Sequence, residues 1–319
     1  MSVAASVIVC TRDRAGLLDG CLERLVAEDP SVTWELVVVD NGSTDATASV
    51  VRRHGETVAG GHVTRVVEPE PGLSPARNRG VAAARGDLLL FTDDDVLVEP
   101  GWIDAMCAGF GEPDVVAVAG RVGPWWPREP PRWLTGPHAG LLALTDFGDA
   151  PRDLVGDEYP LGASMGIRRS ALPAAAPFDP RLGHRAGTFF AYEEFDLFQR
   201  LRRAGGRFVY RPDAAALHRI DPERMTWRGM RRAAIHNGFG LGRAQRVHGP
   251  VPVPRRKGVA RAARTWASAA RRSRRNGARD DVDPRDAQQE LMSYWELGHA
   301  IEAAFGGSRL GPWLIDRAV

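Results

Sequence analysis

The stretch Gly86–Trp102, GDLLLFTDDDVLVEPGW, places three consecutive aspartates at the end of the most apolar run in the chain. Leu88–Thr92 has the composition of a buried strand, whereas Asp93, Asp94 and Asp95 repel one another at close range. Burying a carboxylate costs several kcal/mol unless a cation or hydrogen-bond donors compensate it. The stretch therefore predicts a buried strand that ends at a site where these charges are compensated.

Apolar strands alternate with amphipathic helices through the first hundred residues. The predicted strands are Val3–Val9, Leu36–Val39, Val63–Val67 and Leu88–Thr92, and the predicted helices are Leu17–Leu25, Thr44–His54 and Pro75–Arg85, the last with Ser74 as its N-cap. Strands that are apolar throughout and joined by helices are typical of a parallel sheet covered on both faces. We therefore predict an α/β fold with a mostly parallel sheet flanked by helices.

Polar clusters follow three of these strands directly. They are Thr11-Arg12-Asp13, Asp40-Asn41-Gly42-Ser43 and Asp93-Asp94-Asp95. In sheets of this kind ligands bind beyond the carboxyl ends of the strands, so the clusters predict a ligand site at one edge. The alternative is that these loops are polar only because loops face water.

The aspartate run favours a divalent cation. In an extended backbone Asp93 and Asp95 point to one side and Asp94 to the other. Mn²⁺ and Mg²⁺ prefer oxygen ligands and often take one or two carboxylates together with the phosphates of a substrate. We predict such an ion beside Asp93 and Asp95, with Asp94 paired elsewhere. The structural alternative is a cluster satisfied by backbone N–H groups and arginines.

The rest of the chain changes in character. Residues 121–160 are rich in Pro, Trp and Gly and predict an ordered irregular loop, followed by a strand, turn and helix in the segment YPLGASMGIRRSAL. A helix beginning near Tyr192 and stopping at Gly205 precedes two short strands that end at His218. Three further helices are predicted over Trp227–Val247, Val259–Arg275 and Pro284–Phe305.

The net charge of +2 hides an uneven distribution. Arg224–Asn276 contains fifteen basic residues and no acid, which leaves 27 basic against 40 acidic residues elsewhere. Such asymmetry indicates an anionic partner, and three are open: the acidic part of the chain itself, a nucleotide diphosphate, or anionic lipid. The weakly apolar face Val259, Ala263, Trp266 and Ala270 predicts peripheral, salt-sensitive membrane contact. Nucleic acid is not predicted, because aromatic residues are sparse in this segment.

Bulk properties limit the class of protein. The 319 residues suit one large domain or two fused units, and no apolar run is long enough to cross a membrane. Cys10, Cys21 and Cys107 have no metal-binding spacing and are predicted to be free thiols in a reducing cytoplasm. The expected location is cytoplasmic, with peripheral contact at the inner membrane face.

Four segments in order resemble glycosyltransferase family 2, the inverting enzymes of GT-A fold. They are SVIVCTRDR, ELVVVDNGSTDAT, GLSPARNRGVAAARGDLLLFTDDDV and YEEFDLFQRLRRAG, and the resemblance covers roughly residues 3–220. It implies a nucleotide-sugar donor carrying UDP or dTDP, a divalent cation, and a hydroxyl acceptor on a lipid, glycan or natural product. Residues 1–115 would bind the donor and 116–222 the acceptor, with a basic helical extension over 223–319.

The resemblance also implies roles for particular residues. Donor-binding positions would be Thr11, Arg12, Asp40 at the base, Arg77, Asn78, Asp93 at the ribose, Asp94, Gly162 and Ser164. Asp95, Asp93 and His218 would meet the metal. The catalytic base would fall on Glu194, where many relatives have aspartate, and the adjacent Glu193 remains an alternative. These acids could also simply favour a helix N-terminus.

Two other functions stay open at the level of sequence. A GT-A scaffold without activity would serve as a binding module, but Asp93, Asp95, Glu193 and Glu194 are all present. A nucleotidyltransferase would carry a Gly-rich basic loop after the first strand, and CTRDRAGLLDG matches that pattern poorly.

Overall fold

The computed structural model describes residues 3–55, 62–134, 139–184, 192–247, 255–276, 282–305 and 310–318. The chain divides into two compact units. The sheet unit comprises Met1–Trp125, Ala143–Pro180 and Glu194–Arg219, and the helical unit comprises Trp126–Leu142, Arg181–Glu193 and Ile220–Val319.

The sheet unit is built on one mixed sheet. Its strands are β1 Ala5–Thr11, β2 Trp34–Asp40, β3 His62–Val67, β4 Leu88–Asp93, β5 Val96–Val98, β6 Val115–Trp125, β7 Arg152–Asp153, β8 Met165–Arg168 and β9 Arg207–Arg219. The order is β3-β2-β1-β4-β8-β6-β9-β5, with β7 beside β9. β3, β2, β1 and β4 pair in parallel, whereas β8 joins β4 and β6 in antiparallel fashion. The parallel half therefore confirms the α/β prediction.

Helices cover both faces of this sheet. They are α1 Ala15–Val26, α2 Thr47–Gly55, α3 Leu73–Ala83, α4 Trp102–Ala108 and α5 Glu193–Arg203. Val7 and Val9 pack in one core with residues of α1 and α4, while Ile8 faces a second core with residues of α3 and α5. Side chains alternate along β1 because successive residues of a strand point to opposite faces.

The helical unit contains α6 Trp227–Val247, α7 Arg255–Asn276, α8 Pro284–Phe305 and α9 Leu310–Arg317. α6 and α8 approach each other closely at two glycines. A Cβ at Gly238 would lie 1.8 Å from the carbonyl oxygen of Trp295, and one at Gly298 would lie 1.9 Å from that of Ile235. Any side chain at either position would force the two helices apart.

Several sequence-based boundaries need correction. α3 begins at Leu73 with Gly72 as its N-cap, not at Pro75 with Ser74 as the cap, and Ser74 is buried in the first turn. β9 is one long strand where two short ones were predicted. In the predicted irregular loop, β6 continues to Trp125 and a 3₁₀ turn spans Arg132–Leu134; residues 135–138 lie outside the described residues.

The division of residues 1–222 into a donor half and an acceptor half stays a prediction. Both halves contribute to the same sheet, because β8 and β6 extend the sheet that starts with β1–β4. The boundary near residue 223 lies close to Ile220, where the last part of the helical unit starts. Within the described residues, no helix is both long and apolar enough to cross a bilayer.

Candidate active site

The register of the sheet brings the predicted polar clusters to one edge. Thr11, the last residue of β1, is paired with Asp40, the last residue of β2. On the other side of β1, Cys10 is paired with Asp93 at the end of β4. The ends of three neighbouring parallel strands are therefore level. We call this the aspartate edge and define it by Thr11, Asp40, Asp93, Asp94 and Asp95.

An arginine compensates two of the three consecutive aspartates. Arg14, just beyond β1, donates from Nη1 to Oδ1 of Asp94 over 2.5 Å and from Nη2 to Oδ2 of Asp95 over 2.6 Å. The hydroxyl of Thr11 donates to the second oxygen of Asp94 over 2.7 Å. Asp94 is buried, so this carboxylate is compensated inside the protein. Asp94 and Asp95 lie in a turn after β4 and not in an extended strand, which is why one arginine reaches both.

The three carboxylates have different acidities. Burial would raise the pKa of Asp95, but hydrogen bonding to His218 and the charge of Arg14 outweigh burial and hold the pKa below its ordinary value. Burial raises the pKa of Asp94 to about 7 against the opposing effects of Arg14 and Thr11. Burial also raises the pKa of Asp93. Asp95 is therefore the carboxylate of the three that ionises most readily.

His218 lies beside Asp95 because of a strand pairing. It stands near the end of β9, opposite Val96 of β5, which follows the aspartates directly. Its Nε2 lies 3.5 Å from Oδ1 of Asp95. Two of the three residues predicted to meet a metal, Asp95 and His218, are thus neighbours, although 123 positions separate them along the chain.

Arg77 connects the aspartate edge to the predicted base. Its Nη2 lies 2.7 Å from Oε1 of Glu194 and 3.6 Å from Oδ1 of Asp93. The guanidinium is buried over the ring of Phe178, with Cζ 5.5 Å from the ring centroid. Gly162 lies against this ion pair, since a Cβ there would be 2.0 Å from Nη2 of Arg77. Glu194 and Asp93 therefore face the same small space.

The two candidate bases, both in the first turn of α5, differ in their exposure to solvent. The side chain of Glu194 is 17% exposed, whereas Glu193 is only 2% exposed. Asp196, the third acid of this segment, is buried, accepts a hydrogen bond from Nε of Arg200 over 3.1 Å and lies 3.0 Å from Nη2 of the same arginine. Of the three acids, Glu194 is the one with solvent access beside Arg77.

Asp40 is buried at the aspartate edge with both oxygens engaged. Its Oδ1 accepts from the backbone N–H of Ser43 over 2.7 Å, and its Oδ2 accepts from Nε of Arg65 over 3.0 Å. Burial would raise the pKa of Asp40, but these donors lower it below its ordinary value. Asp40 is thus kept ionised. A nucleotide base that donates to Asp40 would bind an oxygen that already accepts a hydrogen bond from Ser43 or Arg65.

Four of the residues predicted to bind the donor contact other groups of the protein. Gly162 lies against Arg77 and Glu194. The amide of Asn78 exchanges hydrogen bonds with the backbone of Phe178. Ser164 is buried and accepts from the indole N–H of Trp102 over 2.9 Å. Arg12 is half-exposed and lies 3.7 Å from Asp13.

Sequence reasoning missed Arg14 and Arg65. Both compensate carboxylates that sequence analysis had singled out, Asp94 and Asp95 for Arg14 and Asp40 for Arg65. A signal existed for each. Arg14 follows β1 in the segment TRDR, at the edge where acids accumulate, and Arg65 is the only charged residue within the apolar strand β3.

Comparison with known proteins identifies the family. The pattern of Glycosyl transferase family 2 matches residues 6–172, which is more than half of the chain. The chain belongs to glycosyltransferase family 2. It is therefore a glycosyltransferase that uses a nucleotide-sugar donor. The membership agrees with the resemblance carried by the four sequence segments and decides against a nucleotidyltransferase.

Two relatives illustrate the breadth of the family. The chain is 25% identical over 221 residues to the glucosyl-dolichyl phosphate glucuronosyltransferase of Haloferax volcanii, covering 67% of this chain and 69% of that protein. It is 28% identical over 209 residues to the pre-mycofactocin glycosyltransferase of Mycobacterium tuberculosis, covering 64% of this chain. It spans only 41% of the length of that mycobacterial relative.

Solved structures support the GT-A-like fold. The mannosyltransferase PcManGT of Pyrobaculum calidifontis, in complex with GDP-Man and Mn²⁺, superposes with a TM-score of 0.62 at 18% identity. The match covers 97% of this chain and 89% of that one. GalNAc-T7 with UDP, GalNAc and Mn²⁺ gives a TM-score of 0.52 at 16% identity and covers 79% and 52% of the two chains. At these identities the likeness concerns the fold.

The aspartate edge of this glycosyltransferase suits a divalent cation that is shared with a substrate. Among the described residues, no group of three or more His, Cys, Asp or Glu side chains could hold a metal ion by itself. Asp95 and Asp93 nevertheless offer hard oxygen ligands, which is the donor type that Mn²⁺ and Mg²⁺ take when a substrate diphosphate supplies the remaining ligands. The residues present therefore fit such an ion.

Proposed function

We propose that this glycosyltransferase moves a sugar from UDP or dTDP to an acceptor hydroxyl with inversion of the anomeric carbon. The observation that carries the proposal is the position of Arg77, whose Nη2 lies 2.7 Å from Glu194 and 3.6 Å from Asp93. This arrangement supports the proposal, because it brings the partly exposed carboxylate of Glu194 near the aspartate edge, where we propose that the donor binds.

In the proposed reaction Glu194 is the general base. As the acceptor oxygen attacks the anomeric carbon, its proton passes to a carboxylate oxygen of Glu194. The bond between the anomeric carbon and the diphosphate oxygen breaks on the opposite face, and the nucleoside diphosphate leaves with the bonding electrons. A base in this position contributes roughly 10²–10⁴ in rate. Arg77 holds the carboxylate in place before the acceptor arrives.

Asp95, Asp93 and His218 are proposed to hold the divalent cation. Asp95 is the most readily ionised of the three aspartates, and a metal ligand must be deprotonated. When bound, such an ion neutralises charge on the departing diphosphate. Asp94, which is buried against Thr11 and Arg14, is proposed to position its neighbour rather than to contact the donor.

Asp40 is proposed to select the base of the nucleotide. A carboxylate facing an imide N–H favours uracil or thymine over cytosine, whose ring nitrogen carries no hydrogen. Asp40 is held ionised by Ser43 and Arg65, which keeps it an acceptor. Thr11 and Arg12 are proposed to border the same pocket, and Asn78 and Ser164 to support it through Phe178 and Trp102.

The acceptor is proposed to be an alcohol on a lipid, a glycan or a natural product. The names of the two relatives describe acceptors of different chemistry, a dolichyl phosphate derivative and a mycofactocin precursor. We also propose a cytoplasmic location with peripheral membrane contact. Its support is that Cys10, Cys21 and Cys107 are free thiols, as in a reducing compartment, and that α7 is strongly basic.

A panel of nucleotide sugars tests the catalytic proposal. Each sugar is incubated with the protein, Mn²⁺ and simple alcohols, and release of nucleoside diphosphate and the anomeric configuration of the product are followed by NMR. We expect one UDP- or dTDP-sugar to react with inversion. A product with retained configuration would overturn the role of Glu194 as base.

A further inference from the structure

Helix α7 has one buried and one exposed face. The buried face consists of small residues that pack on α8, namely Gly258, Ala262 and Ala269, with Asn276 at the end. The contact is close, since a Cβ at Gly258 would lie 3.0 Å from Cα of Ala304. The other face of α7 is turned to solvent.

Acids of the helical unit neutralise part of the basic segment. Arg231 of α6 lies 2.7 Å from Glu290, which is buried in α8. Arg246 pairs with the buried Glu302, and Arg275 pairs with Asp286. The chain's own acids, one of the three partners predicted from sequence, therefore compensate these three cations.

Most of the remaining cations of α7 are exposed. Within the described part of the chain, five exposed cations have no ion pair: Lys257, Arg261, Arg264, Arg271 and Arg274. Arg272 is half-buried and donates from Nη1 to Oε1 of Gln289 over 2.7 Å. The side chains of Arg255 and Arg256 lie outside the described residues. A helix rises about 1.5 Å per residue, so the five charges extend over roughly 25 Å along the axis. Their partner must therefore be extended as well as anionic.

Apolar side chains lie on the same helix. Trp266 is 56% exposed, and Val259, seven residues earlier and so on the same side of the helix, is 42% exposed. Trp266 and Arg274 also border a groove between α7 and α8 that is lined by Ala269, Ala270 and Tyr294. A helix turns about 100° per residue, so Trp266 points away from Arg261, Arg264 and Arg271, and only Arg274 lies beside it. The exposed cations therefore form a row of their own along α7.

We propose that the exposed cationic row of α7 is a docking surface for an anionic lipid bilayer, with the arginines at the headgroups. Charge complementarity and the length of the cationic row select this partner. Single-stranded nucleic acid is disfavoured, because binding there depends on stacking platforms and α7 carries Trp266 as its one aromatic residue. The proposal deepens the membrane contact proposed above and does not depend on Glu194.

Vesicle sedimentation tests the surface. The full-length protein is mixed with vesicles of phosphatidylcholine, with or without about one third phosphatidylglycerol, at ~20 mM and ~500 mM salt. We expect binding to the anionic vesicles at low salt and its loss at high salt, where charges are screened over a few ångströms. Each cation near the surface is worth about a fivefold change in partitioning. Replacing Arg261, Arg264, Arg271 and Arg274 with Gln should thus weaken binding at least a hundredfold.

A matched variant controls for total charge. Arg24, Arg52, Arg128 and Arg203 are exposed arginines that are not part of α7, and their replacement by Gln removes the same number of charges. This variant should bind vesicles like the parent, and so should Trp266→Ala, which leaves the cationic row intact. Circular dichroism confirms that each variant is folded.

Three outcomes would contradict the proposed docking surface. The first is that the parent does not bind anionic vesicles at low salt, and the second is that the two quadruple variants lose vesicle binding equally. The third is that single-stranded RNA at equal phosphate concentration displaces the parent from the vesicles. Donor hydrolysis is measured in parallel. If hydrolysis is intact while vesicle binding is absent, the docking surface fails and the catalytic proposal stands.

Discussion

Gly162 lies so close to Arg77 that a Cβ at position 162 would come within 2.0 Å of Nη2 of Arg77 and 2.2 Å of Oε1 of Glu194. Both atoms belong to the ion pair that holds the proposed base. The guanidinium is buried and has little room to retreat. A side chain at this position would therefore displace at least one member of the pair.

Gly162→Ala should separate Arg77 from Glu194 and lower kcat by at least about tenfold, because the carboxylate loses the contact that positions it. Steady-state kinetics with the preferred donor measures the change. The control is Gly111→Ala, where a Cβ would make an ordinary contact of 3.6 Å with the carbonyl oxygen of Ala108. Equal activity of the Gly162 variant and the parent would show that the pair is dispensable.

Glu194→Gln should reduce kcat by roughly 10²–10⁴, because glutamine cannot accept the acceptor's proton. Donor binding, measured by calorimetry, should stay close to that of the parent. The adjacent Glu193→Gln is the matched comparison, since Glu193 is buried. If Glu193→Gln were inactive and Glu194→Gln active, the general base would be Glu193 and not Glu194.

Arg14→Met should destabilise the sheet unit by about 1–3 kcal/mol, because Asp94 remains buried without its cation. Urea unfolding measures the effect. The double variant Arg14→Met/Asp94→Asn removes the uncompensated charge and should recover most of the loss. If the double variant is no more stable than Arg14→Met alone, the two side chains are not energetically coupled.

His236 should make the helical unit sensitive to acid. Burial, together with Arg232 and His184, lowers the pKa of His236 from 6.5 to about 4. The unfolded chain therefore binds this proton first, so stability is complete above pH 6.5 and falls as the pH drops toward 4, by up to about 3 kcal/mol. Chemical unfolding measured from pH 4 to 7 should show that the free energy of unfolding depends less steeply on pH in His236→Gln than in the parent. The same dependence in both proteins would mean that other groups cause the sensitivity to acid.

The sequence predicted the elements that are defined by the pattern of apolar residues within the element itself. The apolar strands up to β4 were found to within about two residues, and α6 and α8 begin and end at the predicted residues, because uniform burial and helical spacing are written into consecutive positions. β6 was missed, since its second half, GRVGPW, has the composition of a loop. Its pairing with β8 and β9 is decided by distant residues.

The sequence predicted which strand ends form the candidate site, but not which side chains pair with one another there. The ends of β1, β2 and β4 identified the aspartate edge, because parallel strands end at a common edge. The partners of Asp94, Asp95 and Ser164 depend on which side chains the tertiary fold brings together. Arg14 and Trp102 therefore emerged only from the structure.

Calorimetric titration of UDP and dTDP into the parent and into Asp95→Asn, with Mn²⁺ and with EDTA, tests the proposed site most directly. In that site the diphosphate and a divalent cation meet at Asp95. We therefore expect Mn²⁺ to tighten nucleotide binding to the parent at least about tenfold and to have little effect on a folded Asp95→Asn variant. Equal nucleotide affinity of the parent in Mn²⁺ and in EDTA would contradict the proposed site.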